Sequence, residues 1–253
     1  MYRLVVLNID RTILDQNQQI SEDTKAALEQ LQETGCELAI ISRRTYVDLK
    51  EIACKLQMDK YGGYLAGDYG SWIQDLQTKQ MLYDERIPYQ EIEEVMRQAL
   101  EYNLNVTLSS SRVFYSLIHN EYIEEESHLF NQEIRPIVDY PDQIIGAHKI
   151  MISGEQEMLD QFAQSVLLNK LALDLIPTND HVYTLVKHGI NKGNALREIM
   201  KEAFLSEEEV LVFADSEQDK KMSSCTSHIV AMKNIPNELC IRLEKAIDLI
   251  EVI

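Results

Sequence analysis

The chain has 253 residues, and its 42 acidic against 24 basic residues give a formal net charge of -18. This acidity repels a phosphate backbone, so nucleic-acid binding is not expected. The apolar run Leu4 to Leu7 stops at Asn8, too early for a signal peptide, and no stretch approaches the ~18 apolar residues of a membrane helix. Four dispersed cysteines, without a C-x-x-C pair, are typical of reduced thiols. We therefore expect a cytoplasmic globular protein that binds neither nucleic acid nor membranes.

The first part of the chain alternates buried strands with helices. Leu4 to Leu7 and Leu38 to Ile41 are continuous aliphatic runs, typical of strands that are buried on both faces. Between them, Ser21 predicts the N-cap of a helix that ends near Thr34. A second helix is predicted from about Tyr46 to Leu56. Strand, helix, strand, helix is typical of a parallel sheet with right-handed crossovers.

The middle of the chain has a different pattern. Glycines between Tyr61 and Tyr83 indicate hairpins, and Pro88 predicts a boundary. Shorter strands and helices then follow one another as in an antiparallel α/β unit, up to about Val186. The sequence therefore predicts an inserted domain of residues 84–186 within a parallel-sheet core of residues 1–83 and 187–253.

Beyond His188 the parallel pattern returns and completes the predicted core. We expect a helix from Lys192 to about Ala203, a strand from Val210 to Ala214, a strand from His228 to Met232 and a final helix to about Ile250.

Three predicted core strands run directly into polar residues. The first is followed by Asn8 and Asp10, the second by Ser42, and the strand that ends at Ala214 by Asp215. Ligands of open α/β sheets lie at the carboxyl ends of the strands, so these side chains are expected to converge. Singly, each also has an ordinary structural explanation, as a turn former or a helix cap.

Lys192 strengthens the case for an anion site. It follows Asn191, a predicted N-cap, and therefore occupies a first helical turn that disfavours a cation. A solvated lysine costs little there, so a surface role remains an alternative. A lysine that meets an anion beside free backbone amides would occupy the same position.

Four segments together resemble a known family. They are Asn8 to Thr12, Ser42 to Arg44, Lys192 to Leu196 and Ala214 to Asp219. Their residues and order are similar to the four motifs of the haloacid dehalogenase (HAD) superfamily. The inserted α/β segment resembles the type IIB cap of the Cof-type phosphatases. The resemblance implies a Rossmann-like core with a parallel sheet and an inserted α/β cap domain.

The resemblance also implies roles in phosphoryl transfer. The first motif of the family normally reads D-x-D-G-T, and its first aspartate attacks the phosphorus. That position is Asn8 in this chain, while Asp10 matches the general acid and base. Ser42 and Lys192 match the residues that hold the phosphoryl oxygens. The implied ligand is a phosphorylated small molecule.

A magnesium ion is the cofactor that the resemblance implies. Its ligands in the family match Asp215, with Asp219 as the second carboxylate of the fourth motif, together with the side chain at position 8 and the backbone carbonyl of Asp10. Asn8 removes a negative charge from this set, and Mg²⁺ prefers anionic oxygens. We therefore expect a weakened or absent magnesium site.

Further positions depart from the family pattern. Arg11 and Arg43 replace glycines of the first and second motifs, Ala214 replaces a glycine of the fourth, and Gln218 replaces an asparagine. We hypothesise that Arg11, with Arg43 as the second choice, partly replaces the missing metal charge, since arginine binds phosphate in a bidentate way. The alternative is two solvent-facing arginines on a site that has drifted.

Three functions are consistent with the sequence. The first is a Cof-type protein that binds a phosphorylated small molecule with little or no hydrolysis, because the nucleophile is Asn8. The second is an active magnesium-dependent phosphomonoesterase on sugar phosphates or a phosphorylated cofactor. The third is a regulatory or assembly module without catalysis.

Overall fold

A computed structural model of the chain describes residues 2–10, 12–15, 17–110, 113–140, 146–165, 168, 170–214 and 217–231. They divide into two compact units. Unit 1 comprises the described residues of Met1–Arg43, Leu49–Tyr83 and Asn191–Ile253. Unit 2 comprises those of Arg44–Asp48 and Asp84–Ile190.

The strands of the two units are numbered together in chain order: β1 (Leu4–Leu7), β2 (Glu37–Ile41), β3 (Tyr64–Gly67), β4 (Trp72–Asp75), β5 (Met81–Asp84), β6 (Ile87–Pro88), β7 (Asn105–Ser110), β8 (Val113–Ser116), β9 (Glu133–Pro136), β10 (Gly146–Ala147), β11 (Ile150–Ser153), β12 (Leu173–Asn179), β13 (Val182–Lys187), β14 (Val210–Ala214) and β15 (Ile229–Ala231). The helices are α1 (Glu22–Glu33), α2 (Tyr46–Lys55), α3 (Met58–Tyr61), α4 (Tyr89–Glu101), α5 (Glu121–Phe130), α6 (Gln156–Ala163) and α7 (Lys192–Glu202).

Unit 1 is built on a seven-stranded sheet with the order β15-β14-β1-β2-β3-β4-β5. The pairs from β15 to β3 are parallel, and β4 runs antiparallel to β3. In the central register Leu7 lies opposite Ile40 of β2 and Phe213 of β14. The carboxyl ends of β1, β2 and β14 therefore lie side by side, which brings the polar residues that follow β1 and β2 to one edge of the sheet.

Both faces of this sheet are buried. Val5 and Leu7 belong to an apolar cluster that contains Leu28 and Leu31 of α1. Leu4 and Val6 point to the opposite face, into the cluster of Leu196 and Ile199 from α7. Alternate side chains of a strand point to opposite faces, so β1 requires apolar residues at every position. The uninterrupted aliphatic run in the sequence has this physical origin.

The helix ends are set by local hydrogen bonds. The Ser21 hydroxyl accepts a hydrogen bond from the Thr24 backbone amide at 3.1 Å and so caps α1, as predicted. Gly35 follows this helix with φ +87°, a left-handed conformation that glycine adopts without strain. Asn191 caps α7, and its Oδ1 accepts a hydrogen bond from the Asn194 amide at 3.0 Å. These caps fix where α1 and α7 begin.

Unit 2 is built on a six-stranded sheet with the order β12-β13-β11-β7-β8-β9. Its pairs are antiparallel except β8 with β9, which run parallel. Ile92 and Val95 of α4 and Phe162 of α6 pack in one apolar cluster with strand residues such as Val106 and Ile150. An additional antiparallel pair joins β6 to β10.

The α/β prediction is confirmed, and most elements lie within a few residues of their expected bounds. After β14 the chain forms a 3₁₀ segment over Glu217–Ser224. The predicted final helix to Ile250 lies outside the described residues. Among the helices that the structure describes, none combines the length and the apolar character needed to cross a membrane.

Candidate functional site

Asn8 lies at the carboxyl end of the central strand β1 and is only 5% exposed. Its Oδ1 accepts a hydrogen bond from the Ile9 backbone amide at 2.9 Å, and its Nδ2 donates to Oδ2 of Asp219 at 3.2 Å. A backbone amide is only a donor and an ionised carboxylate is only an acceptor, so these partners fix which end of the carboxamide is which. The amide nitrogen of Asn8 therefore faces the carboxylate.

Asp219 is shared between Asn8 and Lys192. The Lys192 ammonium donates to Oδ1 of Asp219 at 2.6 Å, and the two side chains are 4% and 0% exposed. We call Asn8, Lys192 and Asp219 the Asn8 cluster. Its charges balance, because one ammonium meets one carboxylate and the third member is neutral. A buried ion pair is tolerated when its remaining polar atoms are also hydrogen-bonded. The Asn8 amide supplies one of these hydrogen bonds, to Oδ2 of Asp219.

Asp10 and Arg43 form a second charge pair. Arg43 Nε lies 3.8 Å from Asp10 Oδ2, and the side chains are 21% and 22% exposed. Asp10 follows β1 and Arg43 follows β2, each three residues beyond the register pair Leu7 and Ile40. Neighbouring parallel strands thus place this pair beside the Asn8 cluster. The Arg43 side chain is thus partly buried beside Asp10.

Ser42 follows β2 directly and is fully buried. Its backbone amide donates to the Ala66 carbonyl at 2.9 Å, and its own carbonyl accepts from the Tyr69 amide at 3.0 Å. Strand β3 and the turn that follows it therefore hold the Ser42 backbone through its amide and its carbonyl. This position is the one that the sequence predicts for holding a phosphoryl oxygen.

The turn after β3 has an unusual backbone. Asp68, Tyr69 and Gly70 have φ values of +48°, +66° and +100°. A left-handed residue other than glycine costs about 1–2 kcal/mol, so two in succession need support. Asp68 Oδ2 accepts from the indole nitrogen of Trp72 at 3.0 Å. A Cβ on Gly70 would lie 2.7 Å from the Ala195 Cβ, so the turn packs tightly against the start of α7.

Sequence reasoning did not assign a role to this turn. Gly67 and Gly70 marked it as a turn, but a tyrosine carries no signal for a left-handed conformation. The turn contacts the Ser42 backbone on one side and the first residues of α7 on the other. It therefore supports two of the predicted phosphate-binding positions.

A polar cluster that the sequence did not reveal lies in unit 2. The Arg44 guanidinium carbon and the Lys149 ammonium lie 5.2 and 5.9 Å from the centre of the Phe130 ring. Asp48 accepts a hydrogen bond from the amide nitrogen of Gln132 at 3.4 Å. Burial raises the pKa of Asp48, while Arg44 and Lys149 oppose this shift. These contacts fix the segment 44–48 within unit 2.

The sequence of the chain matches the profile of the haloacid dehalogenase-like hydrolases over residues 5–248. This chain belongs to that family. As a member of the HAD family, it is similar to the HMP-PP phosphatase of Yersinia pseudotuberculosis, with 26% identity over 237 residues, 92% of this chain and 85% of the relative. The predicted Cof-type HAD resemblance is confirmed.

Solved structures of HAD proteins share the fold. A haloacid dehalogenase-like hydrolase from Bacteroides thetaiotaomicron has a TM-score of 0.86 at 21% identity, over 97% of this chain and 100% of that chain. The HAD subclass IIB sugar phosphatase BT4131 has a TM-score of 0.71 at 16% identity, over 90% of this chain and 86% of that chain. The predicted Rossmann-like core with an inserted α/β domain is confirmed at the level of the fold.

Of the two described side chains of the predicted magnesium site, Asn8 offers Mg²⁺ no anionic oxygen. Asn8 turns a nitrogen donor toward the site, and its oxygen already accepts from the Ile9 amide. Both oxygens of Asp219 accept hydrogen bonds from Lys192 or Asn8. Within the described ranges, no group of three or more His, Cys, Asp or Glu side chains is arranged to hold a metal. Of these two positions only Asp219 carries the anionic oxygens that Mg²⁺ prefers, and Asp215 lies outside the described residues.

Two predicted site residues, Arg11 and Asp215, lie outside the described residues. The structure brings together Asn8, Lys192 and Asp219, and it pairs Asp10 with Arg43. The roles assigned to these residues by the HAD resemblance stay predictions.

Proposed function

We propose that this HAD protein binds the phosphoryl group of a phosphorylated small molecule and hydrolyses it little or not at all. The observation that carries the proposal is the carboxamide of Asn8, whose nitrogen is directed to Asp219 and whose oxygen accepts from Ile9. A neutral amide in this state offers no anionic oxygen for attack on phosphorus. Losing a covalent nucleophile lowers the rate by roughly 10⁴ to 10⁶.

The groups proposed to bind phosphate remain. Lys192 is the first residue of α7, and the N-terminus of a helix attracts anions through its free amides and its dipole. Ser42 stands at the end of β2 with its backbone held by Ala66 and Tyr69. Lys192 and Ser42 are both present, while the side chain at position 8 is neutral. This combination supports the binding of phosphate without its hydrolysis.

We take the ligand class from the relatives. One relative is called an HMP-PP phosphatase and one structural neighbour a sugar phosphatase, so the proposed ligand is a phosphorylated small molecule. Residues 84–186 are proposed to act as the cap that selects it. The proposed setting is the cytoplasm, because the described cysteines Cys36, Cys54 and Cys225 are free thiols.

The proposal is tested by phosphatase assays of the wild type and Asn8→Asp with Mg²⁺, using p-nitrophenyl phosphate and a panel of sugar phosphates. We expect negligible turnover by the wild type and a gain in Asn8→Asp, because the variant restores an anionic nucleophile. Asn103→Asp is the matched control, since it makes the same change at an exposed position in unit 2.

Two results would contradict the proposal. Wild-type hydrolysis that persists through purification and is abolished by Asp10→Asn would identify an active phosphomonoesterase. The second is a melting temperature that no phosphate compound raises, which would indicate a regulatory or assembly module with an empty pocket.

A further inference from the structure

The described carboxylates of the pocket are each paired with a cationic side chain. Asp219 accepts from the Lys192 ammonium at 2.6 Å with both side chains buried. Asp10 Oδ2 lies 3.8 Å from Arg43 Nε, and both side chains are partly exposed. Each of these two carboxylates therefore lies beside one cationic side chain. Among the described residues, Asp10 and Asp219 thus have cationic partners within the protein and do not themselves need a divalent cation to offset their charge.

Asn8 is neutral, and its amide nitrogen donates a hydrogen bond to Asp219. An aspartate at position 8 would place a second carboxylate about where the Asn8 amide now lies, 3.2 Å from Asp219. Two carboxylates at that distance repel each other and share a site comfortably only with a proton or a metal ion between them. The Nδ2 donor of Asn8 replaces that repulsion by a hydrogen bond. Lys192 and Asn8 together occupy both oxygens of Asp219.

Arg43 lies at the carboxyl edge of the sheet, beside Ser42 and Asp10. It follows the buried Ser42 directly, and its guanidinium crosses from the end of β2 to Asp10 at the end of β1. The guanidinium is planar, keeps its charge at all accessible pH values and matches phosphate oxygens in pairs. Its 21% exposure leaves the group partly open to a ligand.

We infer that this pocket binds the phosphate dianion without a divalent cation, with Arg43 and Lys192 supplying the positive charge. The inference rests on the proposed function and specifies how the same site binds its ligand. It selects Arg43 as the substituting cation among the described residues, while Arg11 lies outside them.

Calorimetric titration with inorganic phosphate tests the inference, in EDTA and again in MgCl₂. The wild type is expected to bind with the same affinity in both buffers, within about twofold. Arg43→Gln should weaken phosphate binding by about tenfold or more, as expected for one lost charge-assisted contact. Arg3→Gln is the matched control, since Arg3 pairs with Glu209 at the surface and should leave binding unchanged.

Thermal melting gives a second readout that is independent of phosphate. The wild-type melting temperature should be the same in EDTA and in MgCl₂. Asn8→Asp should melt lower than the wild type in EDTA and recover with MgCl₂, because its new carboxylate needs a cation.

The outcomes separate this inference from the proposed function. Phosphate binding that appears only with MgCl₂, or an unaffected Arg43→Gln variant, would overturn the inference and leave binding without turnover intact. Wild-type turnover would overturn the proposed function. An absence of phosphate binding in both buffers would overturn both.

Discussion

Replacing a carboxylate oxygen by an amide nitrogen turns an acceptor into a donor, and position 8 shows the consequence. Asn8 donates to Asp219, which an aspartate in its ionised form could not do. The family resemblance implied that position 8 lacks a nucleophile, because Asn8 stands where the first motif normally has an aspartate. It placed Asn8 and Asp219 at one site but did not predict their direct hydrogen bond, which joins residues 211 positions apart. Pairings at such distances are decided by tertiary packing.

A pH effect is expected at Glu37, at the start of β2. Burial and then the nearby Asp75 carboxylate raise the pKa of Glu37, and Arg3 opposes them. A carboxyl group with a raised pKa favours the folded state below its unfolded pKa of ~4.3, and this contribution is lost as the pH rises through the folded pKa. At neutral pH the ionised Glu37 carboxylate therefore lowers the free energy of unfolding of the wild type.

Glu37→Gln should accordingly raise the free energy of unfolding at pH 7 by about 0.5 kcal/mol, a small value because water screens this half-buried group. The gain should vanish below about pH 4, where the wild-type carboxyl is protonated in both states. Urea unfolding across this pH range measures it, with the exposed Glu85→Gln as the control. A lower stability of Glu37→Gln at pH 7 would show that the Arg3 interaction dominates.

At the scale of elements, α7 positions Lys192 of the Asn8 cluster. Its first residue is Lys192, and its N-cap is Asn191. A Cβ on Gly193 would lie 2.3 Å from the Lys221 carbonyl oxygen, so this helix start packs closely on the 3₁₀ segment that contains Asp219. The cap residue thus controls the position of Lys192 relative to its carboxylate partner.

Asn191→Ala should lower the free energy of unfolding by about 1 kcal/mol, because the Asn194 amide loses its capping acceptor. The affinity for inorganic phosphate should fall as well, since the helix start that holds Lys192 loosens. Chemical denaturation and calorimetry measure the two effects. Asn191→Ser keeps a capping oxygen and should restore most of both losses. A variant with unchanged stability and affinity would contradict this role of the cap.

The elements that sequence predicted well are those with a strong local signal. β1 and β2 follow from aliphatic runs, and α1 from the Ser21 cap and the glycine after its end. The pairing of β6 with β10 involves two residues in each strand and has no local signal. The left-handed Tyr69 likewise depends on its contacts with Ser42 rather than on its residue type. Local patterns therefore located the polar strand ends, and tertiary contacts completed the site.

At the scale of the whole molecule, charge is the dominant property. The formal net charge of -18 produces self-repulsion that opposes the compact state. Added salt screens this repulsion, and at 0.1 M exposed charges more than about 10 Å apart interact only weakly. The same excess of acidic residues underlies the expectation that nucleic acids are not partners. Despite this overall excess, the described carboxylates Asp10 and Asp219 each lie beside a cationic side chain.

The melting temperature should therefore rise by a few degrees between low salt and about 0.3 M KCl, because screening relieves repulsion among the 42 acidic residues. Differential scanning fluorimetry at pH 7.5 measures the shift. At pH 5, closer to the pI of about 4.7, the net charge is smaller and the salt effect should shrink. A melting temperature that falls with salt would show that attractive ion pairs outweigh the repulsion.

The central claim is that position 8 cannot form a covalent phosphoryl adduct. The most direct measurement is a crystal structure of the wild type soaked with beryllium fluoride and Mg²⁺, with Asn8→Asp crystals treated in parallel. The account predicts no beryllium bonded to the Asn8 side chain and an adduct on the aspartate of the variant. A beryllium fluoride adduct on position 8 of wild-type protein, in which mass spectrometry confirms an intact Asn8 amide, would contradict it.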